Sequence, residues 1–174
     1  MGQKFSEKIP AGDDKLRQVC DTCGFINYVN PKIVAGSVAT KDDRILLCRR
    51  AIEPRKNYWT LPAGFMEEGE SVEVGAAREA MEEANAVIQI DQILGVYSVP
   101  RISQVQIMFR ARLMSDISAG PESVEVDLFK WKDIPWRELA FPTVIWALTH
   151  FASVRGQSSF VPFLNPPGTE RITT

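Results

Sequence analysis

No stretch of the chain approaches the ~18 consecutive apolar residues that would read as a membrane span. The opening residues MGQKFSEKIP are polar and lack the apolar core of a secretory signal. There are only three cysteines, an odd number too small for a disulfide framework. That scarcity points to a reducing compartment and a cytoplasmic protein. There is no basic excess either: 20 Lys and Arg stand against 22 Asp and Glu, a formal charge of −2. Nucleic-acid binding is disfavoured on that ground. Internal repeats and low-complexity tracts are absent. What is present is 174 residues, 45% hydrophobic and 24% charged. This is enough apolar surface to offset the entropy of ordering one domain.

Residues 1–31 read as an irregular N-terminal segment ending at the turn signal Asn30-Pro31. Lys32 to Thr40 and Arg44 to Arg49 read as a hairpin around Asp42-Asp43, and Tyr58 to Leu61 as a short strand. Pro62 to Gly69 reads as a loop. A helix follows from Ser71, a good N-cap, to Ala84, with Asn85 suited to the left-handed stop. Val87–Pro100, Gln104–Leu113 and Val124–Trp131 read as strands, and Thr143–Arg155 as a second helix. In Gln104–Leu113, Val105, Ile107, Phe109, Ala111 and Leu113 share one face; the other is polar save for Met108. The pattern predicts an α/β sandwich with a mixed sheet over 32–155, and a loosely packed tail over 156–174.

The first predicted helix and the loop before it concentrate charge of one sign. Between Glu67 and Glu83 there are seven glutamates and one basic residue, Arg78. At helical spacing Glu79, Glu82 and Glu83 fall on one stripe, where like charges repel. Ala77, Ala80, Met81 and Ala84 are expected on the opposite, packing side. Three carboxylates on one stripe offer hard oxygen ligands for Mg²⁺ or Mn²⁺, without the His or Cys that Zn²⁺ favours. The same spacing is compatible with a solvated acidic face.

The residues in front of the helix decide between these readings. Leu61-Pro62-Ala63-Gly64 reads as a tight turn. From Gly64 the text runs five residues to Glu70, seven more to Arg78, then Arg78-Glu79-Ala80-Met81-Glu82-Glu83-Ala84-Asn85-Ala86. This resembles the Nudix hydrolase signature, G-x5-E-x7-R-E-U-x-E-E-x-G-U with U apolar. Asn85 stands where the second glycine is usual, and Ala86 is a small final U. The resemblance implies a Nudix α/β/α sandwich and hydrolysis of a nucleoside diphosphate linked to another moiety, assisted by Mg²⁺ or Mn²⁺. It implies that Glu79, Glu82 and Glu83 hold the metal, with a possible contact from the Gly64 carbonyl. It also implies that Glu70 and Arg78 form a salt bridge fixing the loop. Relatives differ in which carboxylate takes the proton of the attacking water. The candidates here are Glu79 and Glu83 within the signature, then Glu125, and after it Glu122, near the start of a later strand. Glu67, Glu68 and Glu73 read as solvated charges.

The segment around Cys20-Asp21-Thr22-Cys23-Gly24 resembles the second half of the zinc ribbon that precedes the catalytic domain in one Nudix subgroup, the NADH pyrophosphatases and ADP-ribose/FAD pyrophosphatases. The first cysteine pair of such a ribbon is missing from Met1 to Ser6. Zn²⁺ at Cys20/Cys23 is therefore not expected within one chain; the alternatives are an ion shared by two protomers or a metal-free turn with two thiols. Cys48 and His150 read as packed side chains. The longer resemblances, through Leu47–Pro54, Tyr58–Glu67 and Gly120–Ser123, favour ADP-ribose, FAD or a related dinucleotide as the small-molecule substrate, with AMP released. Arg49, Arg50, Tyr97, Arg101 and Gln106 are the candidate substrate contacts, at most one of the two adjacent arginines facing the cleft. Trp59 reads as core. The alternatives are a sanitising hydrolase of oxidised or non-standard nucleoside triphosphates and a non-catalytic nucleotide-sensing module. Some relatives act on RNA caps. Relatives are often dimers, so a homodimer with the N-terminal segment as contact is expected from the resemblance.

Overall fold

The structure is a computed structural model and describes residues 4–169. The chain divides into two compact units, one ending at Pro31 and the other beginning at Lys32.

The first unit is not irregular, as its sequence suggests. It holds three short strands, β1 (Phe5–Lys8), β2 (Arg17–Cys20) and β3 (Ile26–Asn27), in an antiparallel sheet of order β1-β2-β3. Strands this short carry too little alternation to be read. Cys20 sits opposite Phe5, and a turn closed by Gly24 N–H to the Cys20 carbonyl (2.9 Å) leads into β3. Asp21 ties the two ends of the unit: its carboxylate accepts from Ser6 Oγ at 2.6 Å and pairs with Lys8 Nζ at 2.8 Å. Asp13, its carboxyl lowered to about 2 chiefly by its hydrogen bond from Arg17, braces the intervening loop.

The second unit contains β4 (Lys32–Lys41), β5 (Arg44–Arg50), β6 (Trp59–Thr60), β7 (Ala63–Phe65), α1 (Val72–Ala84), β8 (Ile88–Val99), β9 (Gln104–Leu113), β10 (Ser123–Lys130) and α2 (Pro142–Ser153). The sheet order is β10-β5-β4-β9-β8, with β6 pairing β5 and β7 pairing β4. The β4–β9 pair is parallel and the others are antiparallel, so the sheet is mixed. Residues 61–64 are not a free turn: Ala63, Gly64 and Phe65 form β7, with Gly64 opposite Ala35.

Alternate side chains along the strands feed two cores. Val38, Leu47, Tyr97 and Met108 pack with Val144, Ala147, Leu148 and Phe151 of α2. Their neighbours Ala39, Leu46, Cys48 and Ala111 pack with Ala80 and Ala84 of α1. One helix therefore covers each face, the α/β/α sandwich expected from the sequence. Met108, the lone apolar residue on the polar face of β9, is buried under α2.

Helix α1 starts where Ser71 Oγ accepts from the Val74 N–H, a cap worth about 1 kcal/mol. It ends at Asn85 in the left-handed region, φ 48°, ψ 33°. Its buried face is Gly75, Ala76, Glu79, Ala80, Glu83 and Ala84. Met81, expected inside, is exposed, and two glutamates take the inner face. The tail is also better packed than expected. Phe163 bridges to Gly95, Gln92 Nε2 donates to the Phe160 carbonyl at 2.9 Å, and Asn165 exchanges hydrogen bonds with the Ser98 backbone. The five C-terminal residues of that predicted tail, 170–174, lie outside the described residues. No helix among the described residues is long and apolar enough to cross a membrane.

Candidate active site

The inner glutamates of α1 meet β7 and the loop that follows it. At Gly64 any side chain would overlap the Glu79 carboxylate, so glycine there leaves that carboxylate its present place against β7. Glu70 turns back from the loop: Oε1 accepts from the Glu67 N–H (2.7 Å) and from Arg78 Nη2 (2.9 Å), and Oε2 from Arg78 Nε (3.1 Å). This two-pronged pair is the strong form of an arginine–carboxylate contact. It holds the Glu70 carboxyl below its usual range and the Arg78 guanidinium above its own. Arg78 also donates to the Phe65 carbonyl (2.9 Å), to Glu79 Oε1 (2.8 Å) and to Glu82 Oε2 (2.9 Å).

Glu79 and Glu83 are 7% and 6% exposed, which is unusual for carboxylates. Burial pushes the Glu79 carboxyl up against the opposing pull of Arg78. Glu83 is pushed up to about 8, first by burial and then by Glu79, with Arg50 acting the other way. Its Oε2 is buried without a hydrogen-bond partner among the described residues. The neighbouring Cys48 thiol is pushed up by burial and by Glu83.

These carboxylates border a cavity of about 960 Å³. Glu79, Glu82, Glu83 and Glu122 give it an acidic side. Arg50, Arg55, Arg78 and Arg101 supply cations, and Phe65, Ile102, Phe141 and Trp146 supply apolar wall. Arg50 is fixed by Nε donating to the Pro54 carbonyl (2.8 Å), with its guanidinium 5.2 Å from the Phe141 ring centre.

Of the sequence candidates, Glu79, Glu82, Glu83, Arg78, Gly64, Glu122, Arg50, Arg101 and Gln106 line this cavity. Glu70 acts from behind it through Arg78. Three candidates do not reach it. Tyr97 is fully buried, with its hydroxyl 2.8 Å from His150 Nδ1, and belongs to the core under α2. Tyr97 pairs with Gln106 on the sheet face that Met108 shares, at a place where α2 covers that face. Arg49 points away from the cavity, donating to the Asn57 carbonyl and pairing with Glu125 at 3.2 Å. Glu125 is thus spent on an exposed ion pair, and the expected ranking of Glu125 over Glu122 reverses. The irregularity between Ser123 and Glu125 in β10 is the cause. Phe141, Trp146 and Arg55 were missed. Pro142 does mark a helix start, but nothing local shows that this start opens onto the cavity. Trp59 is core as expected, and His150 is stacked between Tyr97 and Phe163.

The donor set suits a hard divalent cation: all oxygen, clustered, and too repulsive to stay charged without a counter-cation. The unpartnered Glu83 Oε2 is an oxygen that can serve as such a ligand. Among the described residues no three such side chains are gathered into a ready-made metal cluster. Arg78 Nη1 bridges Glu79 and Glu82 and places a positive charge beside them. In the N-terminal unit Cys20 is buried and Cys23 exposed, both as free thiols. The Cys20 thiol is held below its usual range, first by the Cys23 backbone N–H.

The chain is similar to known proteins in sequence and in fold. The family model described as NUDIX domain matches residues 30–147, and a zinc-ribbon model described as Nudix N-terminal matches residues 2–29. An ADP-ribose pyrophosphatase of Methanocaldococcus jannaschii is 31% identical over 145 residues, 80% of each chain. A NAD-capped RNA hydrolase, NudC, of Photobacterium profundum is 31% identical over 130 residues, 74% of this chain but 46% of that protein. A crystal structure of a NUDIX hydrolase from Nitrosomonas europaea superimposes with a TM-score of 0.89 at 43% identity, covering 94% of this chain and 93% of that one.

Proposed function

This chain is a member of the Nudix hydrolase family, and on that premise we propose that it hydrolyses the pyrophosphate of ADP-ribose, FAD or a related dinucleotide, releasing AMP. The observation that carries the reading is the joint lining of one cavity by a carboxylate cluster and by Arg50 and Arg101 with Phe65 and Phe141. A dinucleotide pyrophosphate needs both halves of that wall, cations for its phosphates and apolar faces for its rings. The volume, about 960 Å³, suits a ligand of that size.

Water adds across the anhydride. Its oxygen bonds to one phosphorus, and the bridging oxygen leaves with the other phosphate. Glu79, Glu82 and Glu83 would hold Mg²⁺ or Mn²⁺, with the Gly64 carbonyl beside them. Bound there, the ion would neutralise phosphate charge and make the water more acidic. Arg50 and Arg101 orient the phosphates. Glu122, which faces the cavity and whose charge is felt by both Glu79 and Glu83, takes the proton of the attacking water. Arg78, braced by Glu70, keeps Glu79 and Glu82 at the cavity wall.

The test is turnover of ADP-ribose, FAD, NADH and 8-oxo-dGTP with Mg²⁺ or Mn²⁺, with products identified by mass. AMP from the first two, at the highest kcat/KM of the panel, is expected. A clear preference for 8-oxo-dGTP would replace this reading with that of a sanitising hydrolase. Binding of ADP-ribose with no turnover would make the chain a sensor.

A further inference from the structure

The one position where the chain departs from the family signature, Asn85, is built into a contact that glycine could not make. Its backbone holds the left-handed turn that glycine would hold, with its N–H donating to the Met81 carbonyl at 2.9 Å. Its side-chain amide reaches across to the segment between β9 and β10. Nδ2 donates to the Ser118 carbonyl (3.1 Å), to Ser118 Oγ (3.0 Å) and to the Ala119 carbonyl (3.4 Å).

That segment lies against the C-terminal end of α1. Ser118 N–H bonds the Ala84 carbonyl and Gly120 N–H the Glu83 carbonyl, each at 3.0 Å. These carbonyls would otherwise be left open at the helix end. A side chain at Gly120 would overlap the Glu82 carbonyl, so contact is as close as backbone permits. The approach carries an electrostatic cost. The C-terminus of a helix is negative, and the Ser118 and Ala119 carbonyls are brought to it oxygen first. The Asn85 amide is the donor that compensates them.

Two residues beyond Gly120 stands Glu122. Its carbonyl accepts from the Ala51 N–H at 2.9 Å, and Ser123 N–H closes a turn onto the Gly120 carbonyl at 3.1 Å. Glu122 therefore hangs between two anchors, the β5 end on one side and the Asn85 contact on the other. We infer that Asn85 is a positioning residue, fastening residues 118–120 to α1 so that the Glu122 carboxylate is held over Glu79 and Glu83. This rests on the proposed part of Glu122 in the hydrolysis.

The experiment is a double-mutant cycle read in kcat and KM, with ADP-ribose and saturating Mg²⁺. Asn85→Gly keeps the turn and removes the amide. Asn85→Asp keeps both turn and shape but replaces the donors with acceptors. Each is expected to lower kcat roughly tenfold with KM within about twofold, the effect of a displaced group remote from the chemistry. In a Glu122→Gln background neither should lower kcat further, because the effect passes through Glu122. A residue that merely supports the fold would lower kcat by the same factor in both backgrounds. That result, or single variants turning over at the parent rate, overturns the inference. A Glu122→Gln variant at the parent rate would instead remove Glu122 from the reaction, and with it the proposed role of Asn85. Agreement between the Gly and Asp variants guards against a folding defect peculiar to either.

Discussion

Glu83 sits in the least comfortable electrostatic position in the cavity: buried, beside Glu79, with one oxygen unpartnered. Its carboxyl is pushed up to about 8, so the folded chain binds that proton more tightly than the unfolded chain does. Stability must then fall as pH rises from the ordinary carboxylate range through about 8. In the presence of a chelator the melting temperature is expected to drop between about pH 5 and about pH 8.5. Glu83→Gln, which stays neutral, should flatten that slope. Added Mg²⁺ should raise the melting temperature more at the alkaline end, where the carboxylate is ionised. An identical Mg²⁺ shift at both ends would remove Glu83 from the ligand set. Glu82 is the complementary case, half exposed and held only by Arg78. Glu82→Gln should reduce Mg²⁺-dependent turnover by about two orders of magnitude or more with the far-UV spectrum unchanged. Near-normal turnover at saturating Mg²⁺ would sink the metal assignment. The carboxylates were legible because their spacing is local. Glu125 was misplaced for a physical reason: the single irregularity just before it in β10 reverses its facing. Tyr97 was misplaced because α2 covers its part of the sheet, a tertiary contact with no local signal in the strand.

Among elements, the loop from β7 into α1 shows how few contacts hold a catalytic surface. Arg78 alone joins Glu70, Glu79, Glu82 and the Phe65 carbonyl. Arg78→Ala removes the compensation of a buried Glu79 and is expected to cost roughly 1.5–3 kcal/mol in urea unfolding, the range for hydrogen bonds to charged groups. Arg78→Lys should recover part of that stability and little activity, since an ammonium cannot make the two-pronged contact with Glu70. If Lys restored turnover fully, the brace would be a matter of charge alone. The caps at Ser71 and Asn85 were readable because each lies within one turn, whereas the Glu70–Arg78 pair was expected from the family resemblance alone. The inner face of α1 was half readable. Small alanines announced close packing, but periodicity alone could not show that Glu79 and Glu83 turn inward and Met81 outward. The second core was hidden for a related reason. Met108 and Arg110 sit on a polar-looking face of β9, yet α2 and the C-terminal segment cover it: Arg110 donates to the Gln157 carbonyl at 2.7 Å.

At the scale of the molecule, the N-terminal unit poses a question of size. Its 31 residues fall below the ~40 residues at which a domain stands without a disulfide, a metal or a partner. It matches a zinc-ribbon family yet has one cysteine pair of the two that a ribbon uses. The contacts of Asp21 with Ser6 and Lys8 link its strands, but with both members of the ion pair some 41–50% exposed they add little, about 0–1 kcal/mol. Meanwhile Leu16, Phe25, Tyr28 and Val29 are exposed at 58–76%, more apolar surface than so small a unit can leave in water without cost. A second copy covering that surface would supply what the missing knuckle does not. The full chain is therefore expected to run as a dimer in light scattering, and residues 32–174 as a monomer that still hydrolyses the substrate, because among the described residues none before Val34 lines the cavity. EDTA should leave the dimer intact, with elemental analysis giving well under one zinc per chain. A full-length monomer would overturn the dimer. Dissociation in EDTA with one zinc released per pair would show instead that Cys20 and Cys23 of two copies share an ion.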